Sequence, residues 1–203
     1  MKQRDKLSAW FEAALLILIT LALGASNVQA QGRMQAQRQV SGQGIYRGNI
    51  IYIGGPRGSA TDFFTLKIDS ITPEDEVKRM LAALQNGGQD ELQKILGHQK
   101  RGTLQIGARL SHDIQAVWVT QTEEGRKIYA LSERWLGFGE LRRGTRSVDY
   151  PFTFVELYVE DDGKAEGELI PAARVRAKKG MTIEVENFGI YPARLTNVRQ
   201  SRK

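Results

Sequence analysis

Cysteine is absent from the 203 residues. That excludes disulfides, thiolate metal sites, cysteine nucleophiles and a lipid-modified N-terminal cysteine. Histidine occurs twice, at His98 and His112, which leaves little for a histidine metal site or a proton relay. No metal site and no cofactor is expected. Only five prolines are present, and no Pro-rich or repetitive tract forms. Aromatics make up 8% of the chain, yet the hydrophobic fraction of 41% is enough for a packed core, so wholesale disorder is excluded.

Only one long apolar run is present. Ala13 to Leu23 follows Lys2, Arg4 and Lys6 and precedes Val28-Gln29-Ala30. That order is a positive n-region, an apolar h-region and a small-residue cleavage site, the pattern of a secretory leader. As a helix, eleven residues rise about 16 Å, against a hydrocarbon core of about 30 Å. Residues 1–30 are therefore expected to be a cleaved signal peptide, with no transmembrane span left afterwards. The alternative is an uncleaved N-terminal anchor lengthened by Leu7, Trp10 and Phe11, which Glu12 interrupts. A periplasmic or secreted location follows from the first reading. Residues 31–44 are rich in Gln and Gly, show no apolar period, and read as a flexible linker.

From Ile45 onward the signals are mostly those of strands. Ile50 to Ile53 is a β-branched run stopped by Gly54-Gly55-Pro56, and Phe64, Leu66 and Ile68 alternate with Thr65 and Lys67. One helical stretch interrupts. Thr72 reads as an N-cap, Pro73 as the first helical position, and Glu74, Asp75 and Glu76 suit the positive end of the helix dipole. Val77, Met80, Leu81 and Leu84 form one stripe, and Leu92, Ile95 and Leu96 another beyond Gly87-Gly88. Two helices, near 73–86 and 89–96, are expected as an inserted hairpin. Hairpin turns then follow at Glu123-Glu124-Gly125 and Asp161-Asp162-Gly163-Lys164. Apolar residues on both faces of 114–119 suggest a central strand. Residues 45–203 are thus expected to form a single α+β domain, mainly an antiparallel sheet curled as a sandwich or barrel.

Motifs for chemistry are sparse. Ser111-His112-Asp113 places three catalytic residue types side by side, but adjacent strand residues point to opposite faces and there is no nucleophile elbow. His112 and Asp149 are the only acid/base candidates. The Gly54–Ser59 segment lacks the Lys-Ser/Thr of a phosphate loop and reads as a turn. Trp118, Trp135, Phe138, Tyr150, Phe152 and Phe154 could line a cavity for an apolar ligand or serve as core. Trp135, Phe138 and Tyr150 are the ligand-binding candidates, because 135–139 combines apolar residues with glycines between two hairpins.

Charge is unevenly placed. The formal net charge is +6, but the last 32 residues hold eight bases and two acids, while residues 31–171 are close to neutral. Arg174, Arg176, Lys178, Lys179, Arg194 and Arg199 are the candidates for contact with an anionic surface. An exported protein meets little nucleic acid, so nucleic acid is not the expected partner.

Arg146 to Thr153 (RSVDYPFT), Val155-Glu156-Leu157, Gly167-Glu168-Leu169 and Arg194 to Arg199 (RLTNVR) form a further pattern. In these segments the chain resembles a family of uncharacterised exported bacterial proteins, over roughly residues 60–200 and most specifically from Ser147 to Leu157. The resemblance implies an exported single domain of unassigned activity and transfers no catalytic residue.

Without a catalytic signature, the expected function is a non-enzymatic exported or envelope protein. It would act as a binding or interaction module for envelope components or a small apolar ligand. The alternatives are a hydrolase acting on envelope material and a peripheral protein held to an anionic surface by its basic C-terminal segment.

Overall fold

The computed structural model describes residues 42–55, 58–97, 99–134, 146–178, 182–189 and 191–201. The expected leader, most of the linker, His98, Trp135, Phe138 and Lys179 lie outside them. In chain order the elements are β1 (Gly44–Gly55), β2 (Gly58–Ile68), α1 (Glu74–Leu96), β3 (Gly102–Ile106), β4 (His112–Ile114), β5 (Ala116–Thr122) and β6 (Gly125–Glu133). A 3-10 turn (Arg146–Asp149), β7 (Phe152–Glu160), β8 (Lys164–Lys178), β9 (Thr182–Asn187) and β10 (Ala193–Ser201) follow. No helix among the described residues is long and apolar enough to cross a membrane.

All strand pairs are antiparallel, in the order β4-β3-β2-β1-β10-β8-β7-β6-β5, with β9 on β8. The two ends of that order belong to one bent segment. Only Gln115 separates β4 from β5. Ile114 pairs with Gly102 of β3, whereas Ala116 pairs with Leu131 of β6. Gln115 N–H donates to Leu131 O (3.0 Å), and Ser132 Oγ donates to Asp113 O (2.8 Å). The sheet therefore curls into a nearly closed barrel, which leaves few bare edges. Residues 114–122 are covered on both faces near their start, as the sequence suggests, but the strand sits at the barrel's seam rather than at a sheet centre. Val117 points inward and Ala116 lies beneath the helix.

Period-2 alternation decides what fills the barrel. Ile50, Leu66, Ile128, Val155, Leu157 and Leu195 face inward and are fully buried or nearly so. Ala130 and Ala165 are the small members of this core, and a Cβ on Gly167 would collide with Glu156 O of the paired strand β7. One end of the barrel is polar. Tyr46 is fully buried and its hydroxyl donates to Gly42 O (3.1 Å). Arg126 Nη2 donates to Gln200 Oε1 (2.8 Å), and Gln200 Nε2 donates to Gln43 O (3.0 Å). Burial raises the Tyr46 pKa above the usual phenol value, against the opposing pull of Arg126.

Two expectations about the helix are corrected. The inserted helical hairpin does not form: residues 74–96 make one helix, with Gly88 (φ 70°, ψ −155°) the non-helical residue inside it. A helical hairpin needs a loop of about 2–5 residues to reverse the chain, and one glycine only breaks the run. Met80, Leu84, Leu92 and Leu96, from both sides of the break, are buried in the same cluster. Nor does Thr72 cap the helix. Pro73 occupies that place without a side-chain cap, and Thr72 Oγ1 instead accepts the Val117 N–H (2.8 Å). Thr72 N–H donates to Val117 O (2.8 Å), so Thr72 joins the helix start to β5 at the seam. A buried strand amide without a ladder partner outcompetes the helix end for the hydroxyl.

Candidate functional site: an apolar cavity outside the barrel

The outer face of β5 to β8 is as informative as the inner one. Its side chains alternate with the barrel core, and near the helix they are apolar too: Ala116, Leu131 and Phe154 are buried beneath α1. Further along the same strands come Trp118 and Tyr129, cross-strand partners whose rings stack at 5.5 Å and 22°. Phe154 completes the cluster, 6.1 Å from Trp118 and 6.0 Å from Tyr129.

β8 outruns its neighbours. β7 begins opposite Ala173, and beyond that point Arg174–Lys178 pairs only with β9. This two-stranded ribbon leans on the helix through Gln89. Gln89 Oε1 accepts the Val175 N–H (2.9 Å), and Gln89 Nε2 donates to Asp149 O (3.1 Å). The amide thus satisfies a strand N–H that has lost its ladder partner.

Helix, barrel wall and ribbon line a cavity of about 600 Å³ that is partly open to solvent. Val77, Met80, Leu81, Leu84 and Leu92 form the helix side. Trp118, Tyr129, Leu131, Phe154 and Ile170 form the barrel side, and Val175, Ile183 and Val185 the ribbon side. Thr120 and Glu156 are its polar members. None of the inward-facing barrel residues lines it. The volume lies within the usual range for small-molecule sites, as does an apolar lining with few polar groups. Glu156 accepts an ion pair from Lys127 Nζ (2.8 Å), which raises the Lys127 pKa. Burial raises the pKa of Tyr129, Glu156 adds to it, and the Tyr129 hydroxyl stays neutral at physiological pH.

Comparison of the chain with protein-family models, with curated proteins and with solved structures finds no match.

The residues singled out in the sequence scatter around this site. Trp118 and Phe154 line the cavity, whereas Phe152 is buried next to it. Tyr150 is buried elsewhere: its hydroxyl donates to Glu186 Oε1 (2.6 Å) and its ring meets Phe188 at 5.0 Å. His112 lies exposed on β4, paired in register with Leu104. Asp149 sits exposed at the end of the 3-10 turn. No hydrogen bond or ion pair joins His112 to Asp149. No cluster of three or more His, Asp or Glu suited to a metal occurs among the described residues.

The basic residues divide into two groups. Arg174, Arg176 and Lys178 occupy the ribbon face opposite Val175 and Ala177, in register with Glu186, Glu184 and Thr182. Arg176 pairs with Glu186 (3.0 Å). Arg194 and Arg199 stand exposed on β10, in register with Glu168 and Lys164 of β8. Thus both acids of the last 32 residues, Glu184 and Glu186, lie opposite the first group of bases. Sequence alone pointed to Trp118 and Phe154 only as members of a long aromatic list. It missed Tyr129, Ile183 and Val185, whose alternation marks a dry face but not what covers it.

Proposed function

We propose that this chain is an exported, non-enzymatic binding module that holds a small apolar ligand between its helix and the outside of its barrel. The cavity of about 600 Å³, walled by aliphatic side chains and the Trp118–Tyr129–Phe154 cluster, carries this reading. Desolvating an apolar ligand there is favourable by about 25 cal/mol per Å² of surface removed from water. The few polar groups at its edge would set orientation rather than affinity. Export rests on the leader pattern of residues 1–30 and places the ligand among envelope or extracellular molecules.

Two experiments test the proposal. Titration of the full chain with N-phenyl-1-naphthylamine should give a saturable, one-to-one rise in probe fluorescence. Val185→Trp, which puts an indole into the cavity, should markedly weaken it while far-ultraviolet circular dichroism stays unchanged. A folded protein with no saturable response overturns the binding reading. N-terminal sequencing of protein recovered from outside the cytoplasm should begin at Gln31; an intact Met1 form in the membrane overturns the cleaved leader.

A further inference from the structure

The cavity does not stop at its apolar walls. On the outer face of the barrel, strand register lays side chains out as three ranks running across the strands. Ala116, Leu131, Phe154 and Ile170 form the first rank. Trp118, Tyr129, Glu156, Glu168 and Arg194 form the second. Thr120, Lys127, Tyr158 and Glu166 form the third. Successive ranks are about 7 Å apart, since same-face residues lie two apart along a strand. Within the second rank, Tyr129 to Arg194 crosses three strand spacings, about 14 Å.

Polarity changes along this grid. The first rank is wholly apolar and lies under the helix or in the cavity wall. In the second, the aromatic pair belongs to the cavity while Glu168 and Arg194 belong to a groove of about 560 Å³. Glu156 lines both. Lys127, Tyr158 and Glu166 of the third rank line the groove as well. The apolar cavity and the charged groove therefore adjoin on the same wall, with Glu156 in the lining of both.

The groove has three carboxylates against two cations. Lys127 is engaged by Glu156. Glu166 and Glu168 are exposed and form no ion pair among the described residues, with Arg194 the cross-strand neighbour of Glu168. The local excess charge is negative, and it sits just beyond the mouth of the apolar chamber.

The geometry points to an amphiphile as the ligand: an alkyl or acyl chain in the cavity, and an ammonium-bearing head group across Glu166 and Glu168. The inference rests on the cavity being a binding site. An uncharged apolar ligand would leave the groove unused, and an anionic head group would meet unpaired carboxylates. An ammonium head finds two of them within reach of the cavity mouth.

Isothermal titration of the full chain with three twelve-carbon amphiphiles tests this, each kept below its critical micelle concentration. Dodecyltrimethylammonium should bind roughly fivefold to tenfold more tightly than dodecanoate, with dodecyl maltoside between them, as expected for two partly exposed charge contacts. The preference should shrink in high salt and vanish in the Glu166→Gln, Glu168→Gln double variant, which should still bind the maltoside. Equal affinities, or dodecanoate binding tightest, overturn the head-group inference and leave the apolar site standing. Binding of none of the three by the folded chain overturns the apolar site as well. Val185→Trp should weaken all three alike; an ammonium amphiphile whose affinity this variant leaves unchanged is held by the groove alone, which overturns the proposed arrangement.

Discussion

The two faces of β5 to β8 have met the same problem differently. Inside the barrel, Ile128, Val155, Leu157 and Leu169 pack into one continuous cluster with side chains from the other strands. Outside, Leu131, Phe154 and Val175 pack against the helix over part of their length, and a cavity of about 600 Å³ remains beyond them. Both faces alternate cleanly and both are apolar near the helix. The difference lies in the partner. A small closed barrel faces itself, and its radius is fixed by strand number at a size that side chains can fill. A single broken helix cannot cover a curved wall flanked by a protruding ribbon, so the space among the three stays open.

Large-to-small substitution should expose the difference most strongly. Leu157→Ala, inside the barrel, should cost about 2–5 kcal/mol in denaturant unfolding. Leu84→Ala, on the cavity wall, should fall at or below about 2 kcal/mol, because fewer atoms surround the deleted group. Equal losses would mean that the outer compartment is packed as tightly as the inner one.

Small-to-large changes should then separate the faces by sign. Val117→Phe overfills the barrel and should cost about 1–3 kcal/mol. Val185→Phe has room to enter the cavity and should be close to neutral in stability while lowering probe affinity. A large loss at Val185 would break the comparison.

The seam between the compartments comes next. Thr72→Val removes the hydroxyl that accepts the Val117 N–H and leaves a buried amide bare. A loss of about 1–2 kcal/mol is expected, with faster amide exchange at Val117 as the local readout.

A smaller contrast should appear at high pH. Burial raises the pKa of both Tyr46 and Tyr129, so the folded state holds each phenolic proton more tightly than the unfolded state. Their contribution is complete below pH about 10 and is lost as pH rises through the raised values. Tyr46→Phe should flatten the alkaline fall of the denaturation midpoint more than Tyr129→Phe, because Tyr46 lies deeper. The smallest effect belongs to the half-exposed Lys127–Glu156 pair: Lys127→Met should change stability by less than about 1 kcal/mol.

Much of this architecture is legible in the chain. The Asp161–Lys164 turn forms as its residues demand: Gly163 takes φ 83°, and Lys164 N–H donates to Asp162 Oδ1 (2.8 Å). The alternation of 182–186 places Ile183 and Val185 on the cavity side and Glu184 and Glu186 on the other. Local reasoning failed at Thr72 and Gly88. Thr72 followed a partner 45 residues away rather than its own helix. Two adjacent glycines suggested a chain reversal, but Gly87 stayed helical and Gly88 supplied only a break. The cavity was not legible, because it depends on which of two dry faces receives which cover.

By itself the sequence determined the kind of pieces: strands of period 2, one helical stretch, turns where Gly and Asp permit them, and charge gathered toward the C-terminus. Those follow from residue-scale sterics and solvation, which act over a few positions. Only the tertiary structure decided that β4 and β5 would bend at Gln115 and close the sheet. It also decided that Gln89 would hold the ribbon, and that Glu156 would stand where the apolar chamber meets the charged groove. Those outcomes depend on contacts between residues far apart in the chain, which no local pattern records.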